Sequence, residues 1–229
     1  MIVEAEIPLT NHHLISLNIA NGSMTVNNPH PAVSIFNFHY TSPPNAVKDN
    51  FGLNKVIGEN ETGFKGTGDT HYRREAWEFL LAGGGLYNNL DYSFVVGHED
   101  GTFHYPEKTP GGGNPGFRKQ IGFLKTFLLG FDFLRMKPDE GVVKGGLNFD
   151  GKVRVLSEPG KQYAAYFFGG GSATPSLALP SGTYQADWFS PITGELLNSE
   201  AITATGKPVE LTSPKFDPDV ALRIRRVVD

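Results

Sequence analysis

The hydrophobic pattern of this chain changes once, near Met136-Lys137-Pro138, and that change constrains the fold more than any other feature. Before it, strand-like runs over residues 14–20, 33–40, 55–61 and 86–92 alternate with helical periodicity over 45–51, 72–82 and 117–135. Strands alternating with helices imply βα units and a parallel sheet. After it, short strand-like runs over 153–156, 162–168, 176–179, 183–189, 209–211 and 220–227 are punctuated by turns such as Gly169-Gly170-Gly171 and Pro180-Ser181-Gly182. Short strands without helices predict a small antiparallel β-sandwich. The reading is two domains, 1–137 and 138–229.

Composition narrows the function classes. With 39% hydrophobic and 12% aromatic residues, the 229-residue chain can bury a core. Its net charge of -4 offers no basic excess for phosphates, so nucleic acid is not an expected partner. The absence of cysteine excludes disulfides, thiolate metal sites and thiol catalysis. No run approaches the ~18 apolar residues of a membrane span. Residues 1–8 carry acids and no basic, apolar leader and do not read as a signal peptide; the full-length protein is expected to be exported or periplasmic, with its signal in sequence upstream of Met1.

Polar residues ending buried parallel strands need a reason. In the second strand Val33, Ile35, Asn37 and His39 share a face that turns polar at its C-terminal end, where β/α-barrel active sites lie. Ser34, Phe36, Phe38 and Tyr40 share the other. In the third strand Ile57, Glu59 and Glu61 fall on one face. Two carboxylates closing an apolar strand suggest a glycosidase-type acid, unless they only pair with Arg73 and Arg74. Tyr87, Asn89, Asp91 and Tyr92 at the end of the fourth strand, with His98 in the following loop, have the amides, acid and rings that suit sugar hydroxyls. His98-Glu99-Asp100 are adjacent on one loop and are not read as a metal site, and no cofactor is implied. Gly83-Gly84-Gly85 and Gly111-Gly112-Gly113 lack a phosphate-loop pattern and read as turns.

These segments carry a resemblance. Asn18-Ile19-Ala20-Asn21-Gly22, residues 30–40, Glu61-Thr62-Gly63-Phe64 and residues 82–94 resemble the later strands of the apiosidase-like TIM-barrel glycoside hydrolases, once grouped as a domain of unknown function. Tyr166-Phe167-Phe168-Gly169-Gly170-Gly171, Leu179-Pro180-Ser181-Gly182-Thr183-Tyr184 and residues 188–195 are similar to the module that follows that barrel, named for collagen binding in a collagenase. The resemblance implies that the four strands are the fifth to eighth of a (β/α)8 barrel, with Glu61, or alternatively Glu59, as the nucleophile-type carboxylate. The partner acid/base would follow the fourth barrel strand, which this chain does not contain. A barrel takes about 250 residues.

The expected function is therefore the C-terminal part of a hydrolase cleaving glycosidic bonds in polysaccharide side chains, retaining or inverting, inactive without its other half. Asn37, His39, Tyr87, Asn89, Asp91, Tyr92 and His98 would hold carbohydrate. The alternative is a glycan- or matrix-binding protein without catalysis. Two open barrel edges invite self-association.

Overall fold

A computed structural model describes residues 13–146 and 151–227. The start of the chain, which reads as the end of a helix, lies outside them. Strands β1 (Ile15–Asn21), β2 (Val33–His39), β3 (Val56–Glu61) and β4 (Leu86–Tyr87) form a parallel sheet in that order. Helix α1 (Asn45–Asn50) connects β2 to β3, and α2 (Asp69–Leu81) connects β3 to β4. Helix α3 (Pro115–Leu129) follows the long loop after β4.

The two faces of this sheet differ in chemistry. Phe36, Phe38 and Ile57 pack with Ala46 and Val47 of α1 and Phe79 of α2, which makes that face apolar. On the uncovered face Asn37 Nδ2 donates to Ser16 Oγ (2.5 Å) and Asn60 Nδ2 donates to Asn18 Oδ1 (3.1 Å). Gly58 lies opposite Asn37, and any Cβ there would collide with Asn37 Oδ1. A polar rung across the strands thus requires glycine at its centre.

Helix α2 begins three residues earlier than its apolar periodicity suggests, with Asp69 in the first turn, where a negative charge meets the positive helix end. Helix α3 starts at Pro115 behind an Asn114 cap and stops at Gly130, so residues 133–135 form a separate 3-10 turn instead of extending it. The expected fourth strand, 86–92, is regular over two residues only. Beyond them the Asn88 and Leu90 amides still donate to Glu59 and Thr62 carbonyls (both 2.8 Å), so the chain stays alongside β3.

Beyond Met136 all strand pairing among the described residues is antiparallel. Strands β5 (Lys137–Pro138), β7 (Lys152–Glu158), β8 (Gln162–Phe168), β10 (Gly182–Phe189), β11 (Leu196–Ala204) and β13 (Asp219–Arg226) form one sheet, in the order β11-β10-β13-β8-β7-β5. Strands β6 (Val143–Gly145), β9 (Ser176–Leu177) and β12 (Val209–Glu210) form a second, small sheet. Both sheets contribute to one core that includes Phe167, Trp188, Leu222, Ile224 and Leu177. The sequence reading missed β11. Its polar Asn198-Ser199-Glu200 run sits on an edge, where alternation with a buried face is weak.

Strand β8 is buried at every position because helices cover its second face. Ala164, Tyr166 and Phe168 meet Ala76, Trp77 and Leu81 of α2 and Leu124 and Phe127 of α3. Trp77 stacks on Tyr166 at 5.1 Å between ring centroids. Beside this contact Arg73 donates from Nε to Asp219 Oδ2 (2.9 Å) and from Nη2 to Asp219 Oδ1 (3.2 Å). Tyr166 Oη donates to the same carboxylate (2.7 Å), and Arg73 Nη1 donates to Gln120 Oε1 (2.7 Å). All four side chains are buried, so the two regions share an apolar core crossed by a charged clasp.

Candidate functional site

The C-terminal ends of β2 and β3 meet at one rim, and an irregularity in their pairing decides what faces it. Phe38 pairs with Glu59, but His39 pairs with Glu61, so Asn60 is an extra residue on β3. A bulge of this kind breaks the period-two alternation and re-aims the residues after it. Ile57 and Glu59 continue the helix-covered row, whereas Glu61 aligns with His39 at the open rim. The expectation that Glu59 and Glu61 share a face is corrected here: the regular pleat on which it rested does not survive the bulge.

The two acids have opposite surroundings. Glu59 is 1% exposed and lies beneath α2. Its Oε1 accepts the Thr41 amide at 2.8 Å. Burial, reinforced by the charges of Glu75 and Glu78 and opposed by the Thr41 bond, pushes its carboxyl up to about 8. Glu61 is partly exposed. Its Oε1 accepts a short hydrogen bond from the Tyr40 phenol, and its Oε2 lies 3.7 Å from His39 Nδ1. That bond, with burial, the Glu61 charge and nearby Tyr92, raises the Tyr40 phenol to about 12, so it stays a proton donor through neutral pH.

Neither acid pairs with the arginines next in sequence. Arg73 is committed to Asp219, and Arg74 Nε donates to Glu78 Oε1 at 2.8 Å. The pairing that offered a purely structural account of the acids is therefore absent among the described residues.

Tyr40 is the site residue that sequence reasoning missed. Alternation puts it on the face of Phe36 and Phe38, but its backbone is left-handed, with φ of 53°. For a non-glycine residue this conformation costs of order 1–3 kcal/mol. It swings the phenol across the rim to Glu61, while the Tyr40 amide donates to the Glu61 carbonyl (2.9 Å). The available signal was a tyrosine ending a strand just before Thr41-Ser42-Pro43-Pro44, where the chain must turn.

The segment after Glu61 is held by the loop that follows β4. The Phe64 amide donates to the Pro110 carbonyl (2.5 Å), and a Cβ at Gly63 would collide with that carbonyl and with Leu90. Phe64 is left-handed and exposed, with its ring edge-on to Tyr40 at 5.8 Å.

The residues expected to bind carbohydrate divide by position. His39 and Tyr92 are brought to Tyr40 and Glu61. Asn37 is buried one pleat deeper, with no partner for its Oδ1 among the described residues. Asn89 is spent on the Leu90 and Gly112 carbonyls, and Tyr87 donates to the Tyr72 carbonyl (2.9 Å). Asp91 pairs with Arg118 at 2.9 Å and lines a recess of about 510 Å³ with Asn88, Asn89, Phe94 and Arg118. His98 is exposed, with its ring against Phe103 and Nδ1 3.3 Å from Thr102 of the same loop. Among the described residues no group of three acids and histidines is arranged to hold a metal, and no helix is long and apolar enough to cross a membrane.

No family model and no curated protein matches the chain. Its shape is similar to solved structures. One described as a glycoside hydrolase superposes with a TM-score of 0.69 at 16% identity, over 94% of this chain and 58% of its own. A glycoside hydrolase family 5 structure from Bacteroides vulgatus gives 0.66 at 18% identity, over 93% of this chain and 56% of its own. A family 30 endoxylanase from Clostridium papyrosolvens gives 0.50 at 10% identity, over 86% and 50%. The chain thus has a fold found in glycoside hydrolase structures and spans between half and three fifths of their length.

Proposed function

We propose that this chain is the C-terminal part of a glycoside hydrolase of the apiosidase-like kind, acting on polysaccharide side chains, with Glu61 as its nucleophile-type carboxylate. In this reading residues 1–137 supply strands five to eight of a (β/α)8 barrel. Residues 138–229 form a β-sandwich module of the type named for collagen binding, with a buttressing role. The observation that carries the proposal is the rim geometry: a bulge turns Glu61 to the open end of the sheet, where a protonated tyrosine donates to one oxygen and leaves the other toward His39. A donor that holds one carboxylate oxygen fixes the direction from which the second can attack an anomeric carbon.

Cleavage by two carboxylates needs a second acid about 5–5.5 Å away if configuration is retained, or farther if it is inverted. Glu59 is buried under α2 and does not face the rim, so the partner acid belongs to the other half of the barrel. This observation also favours a second reading for the chain alone, carbohydrate binding without cleavage. The same incompleteness applies to the sheet edges. A largely apolar cavity of about 580 Å³ lies along β4 between Phe51, Leu86, Leu128, Phe133 and Leu134. We read it as the seam for the rest of the barrel or, in its absence, for a second copy. Sedimentation as a monomer at every concentration would contradict self-association.

The test is expression with any in-frame sequence upstream of Met1, assayed for sugar release from branched polysaccharides. Glu61→Gln should keep the fold and lower turnover about a thousandfold or more. Equal release by the parent and the variant would sink the assignment.

A further inference from the structure

Glu59 has no place in the chemistry just described, yet a carboxyl this deeply buried is unexpected unless it does something specific. Its hydrogen bond runs to Thr41, the residue next to Tyr40. The surrounding bonds form a pattern. Consecutive residues of the turn, Tyr40 and Thr41, are held by two residues of β3 that flank the bulge. Tyr40 bonds to Glu61 through its amide and its phenol, and the Thr41 amide bonds to the Glu59 carboxyl. Thr41 Oγ1 lies 2.8 Å from Ser23 Oγ, and the Gly22 amide donates to the His39 carbonyl (2.7 Å), so the turn is also fastened to the end of β1. Thr41 is 2% exposed, so its amide has no water to fall back on if the carboxyl is removed.

We propose that Glu59 is a positioning residue: through the Thr41 amide it locks Tyr40 in its left-handed turn and so presents the phenol to Glu61. Three observations support this. A left-handed tyrosine persists only when its surroundings over-determine it, and the buried Thr41 bond is one of the set that does so. The bulge at Asn60 separates the two acids into an inner one that holds backbone and an outer one that meets the rim. Glu59 is buried beside the α2 acids Glu75 and Glu78 and the Tyr87 phenol, so its carboxyl stays protonated at neutral pH and serves as a hydrogen-bonding group, not as a charge. Glu75 is itself held by Thr62 Oγ1 (2.7 Å) and His71 Nε2 (2.7 Å), and Glu78 by Arg74.

The inference deepens the reading of Glu61 as the reacting carboxylate and rests on it for its catalytic consequence. The geometric claim can be tested on this chain without any hydrolysis. Tyrosine labelled with 13C at Cζ reports phenol ionisation by NMR, and Tyr40→Phe identifies the Tyr40 signal. Near pH 11 the parent Tyr40 should be mostly un-ionised: Glu59 is by then a carboxylate, which accepts the Thr41 amide as its neutral form does, and the fold of the parent is verified at that pH. Glu59→Gln keeps an acceptor for the Thr41 amide at every pH, so Tyr40 should stay un-ionised. Glu59→Leu removes the acceptor and should let Tyr40 ionise near the ordinary 10, with the fold verified by circular dichroism at the same pH. Should the Leu variant fail to fold, Glu59→Asp, one methylene short of the amide, takes its place under the same criterion.

A folded Leu or Asp variant whose Tyr40 is still un-ionised, or a Gln variant whose Tyr40 ionises, would overturn the inference. In the completed enzyme the Leu variant should lose about tenfold to a hundredfold in kcat with little change in KM, and Gln should restore it. If Tyr40 responds as expected but the completed enzyme releases no sugar, the functional reading fails and the positioning role stands.

Discussion

The parallel and antiparallel regions of this molecule bury their side chains in different ways. The six-stranded antiparallel sheet is covered on both faces, by the small sheet on one side and by α2 and α3 on the other. The parallel sheet has helices on one face only, and its other face carries a polar row of Ser16, Asn18, Asn37 and Asn60 beside Ile35, Val56 and Leu86. Burial is therefore concentrated where neither sheet face is open, and the candidate site residues His39, Tyr40 and Glu61 lie where a face and a rim are free. Left-handed Tyr40 and buried Glu59 are both costly, and both belong to the parallel region. The clasp of Arg73, Asp219 and Tyr166 lets the second region steady the first.

The sharpest way to break this contrast is to cut the clasp. Asp219→Ala leaves the Arg73 guanidinium buried without its carboxylate and should cost about 3–5 kcal/mol. Replacing both, Arg73→Met with Asp219→Leu, should recover much of that loss, since the apolar surroundings of Trp77 and Tyr166 can accept the new side chains. Urea denaturation of the parent, the single variant and the double variant decides it. A loss below about 1 kcal/mol for Asp219→Ala would mean that the packing of Trp77 and Phe127 joins the regions and the charge pair does not.

How these features appear in the sequence depends on how local their causes are. The βα alternation before Pro138 and the short strands after it are set by side-chain periodicity, and the structure shows the corresponding elements. Glu61 was picked out because two carboxylates closing an apolar strand are costly to bury without a purpose, and because the resemblance and its place nearer the rim favoured it over Glu59. The bulge that separates it from Glu59 is invisible, because Gly58-Glu59-Asn60-Glu61 reads as regular alternation whether or not one residue is unpaired. The partner of Arg73 was beyond reach for another reason: Asp219 is 146 positions away, and a nearer acid always looks more plausible. Tyr40 was assigned to the wrong face because a single left-handed residue reverses side-chain direction without any change in composition. Strand β11 was missed because an exposed edge strand has little apolar alternation to display.

A second prediction concerns the cost of Glu59. Its carboxyl titrates near 8 in the folded chain against an ordinary 4.5. Between those values the folded state binds more protons than the unfolded one, so stability falls as pH rises through the window. Glu59→Gln has nothing to titrate. It should match the parent near pH 5 and exceed it by roughly 2–4 kcal/mol near pH 8. Thermal melts at the two pH values read the difference directly. A constant difference across the window would show that Glu59 is not the group buried in its neutral form.

The smallest effect tests whether the clasp extends to the start of α3. Asn114 Oδ1 accepts the Phe117 amide (2.8 Å), which caps the helix, and its Nδ2 donates to Asp69 Oδ1 (2.7 Å) in the first turn of α2. Asp69 Oδ2 in turn accepts from Gln120 Nε2 (3.0 Å), and Gln120 holds Arg73. Asn114→Ser keeps a capping oxygen but loses the donor to Asp69, and should cost about 0.5 kcal/mol. Asn114→Ala loses both and should cost about 1–2 kcal/mol. Equal losses for the two variants would mean that the cap contributes nothing and the Asp69 bond carries the whole effect. A loss above about 3 kcal/mol for Asn114→Ala would mean that Asn114, Asp69, Gln120, Arg73 and Asp219 act as one unit. In that case its effect should fail to add to that of Asp219→Ala, because neighbours sharing a network do not respond independently.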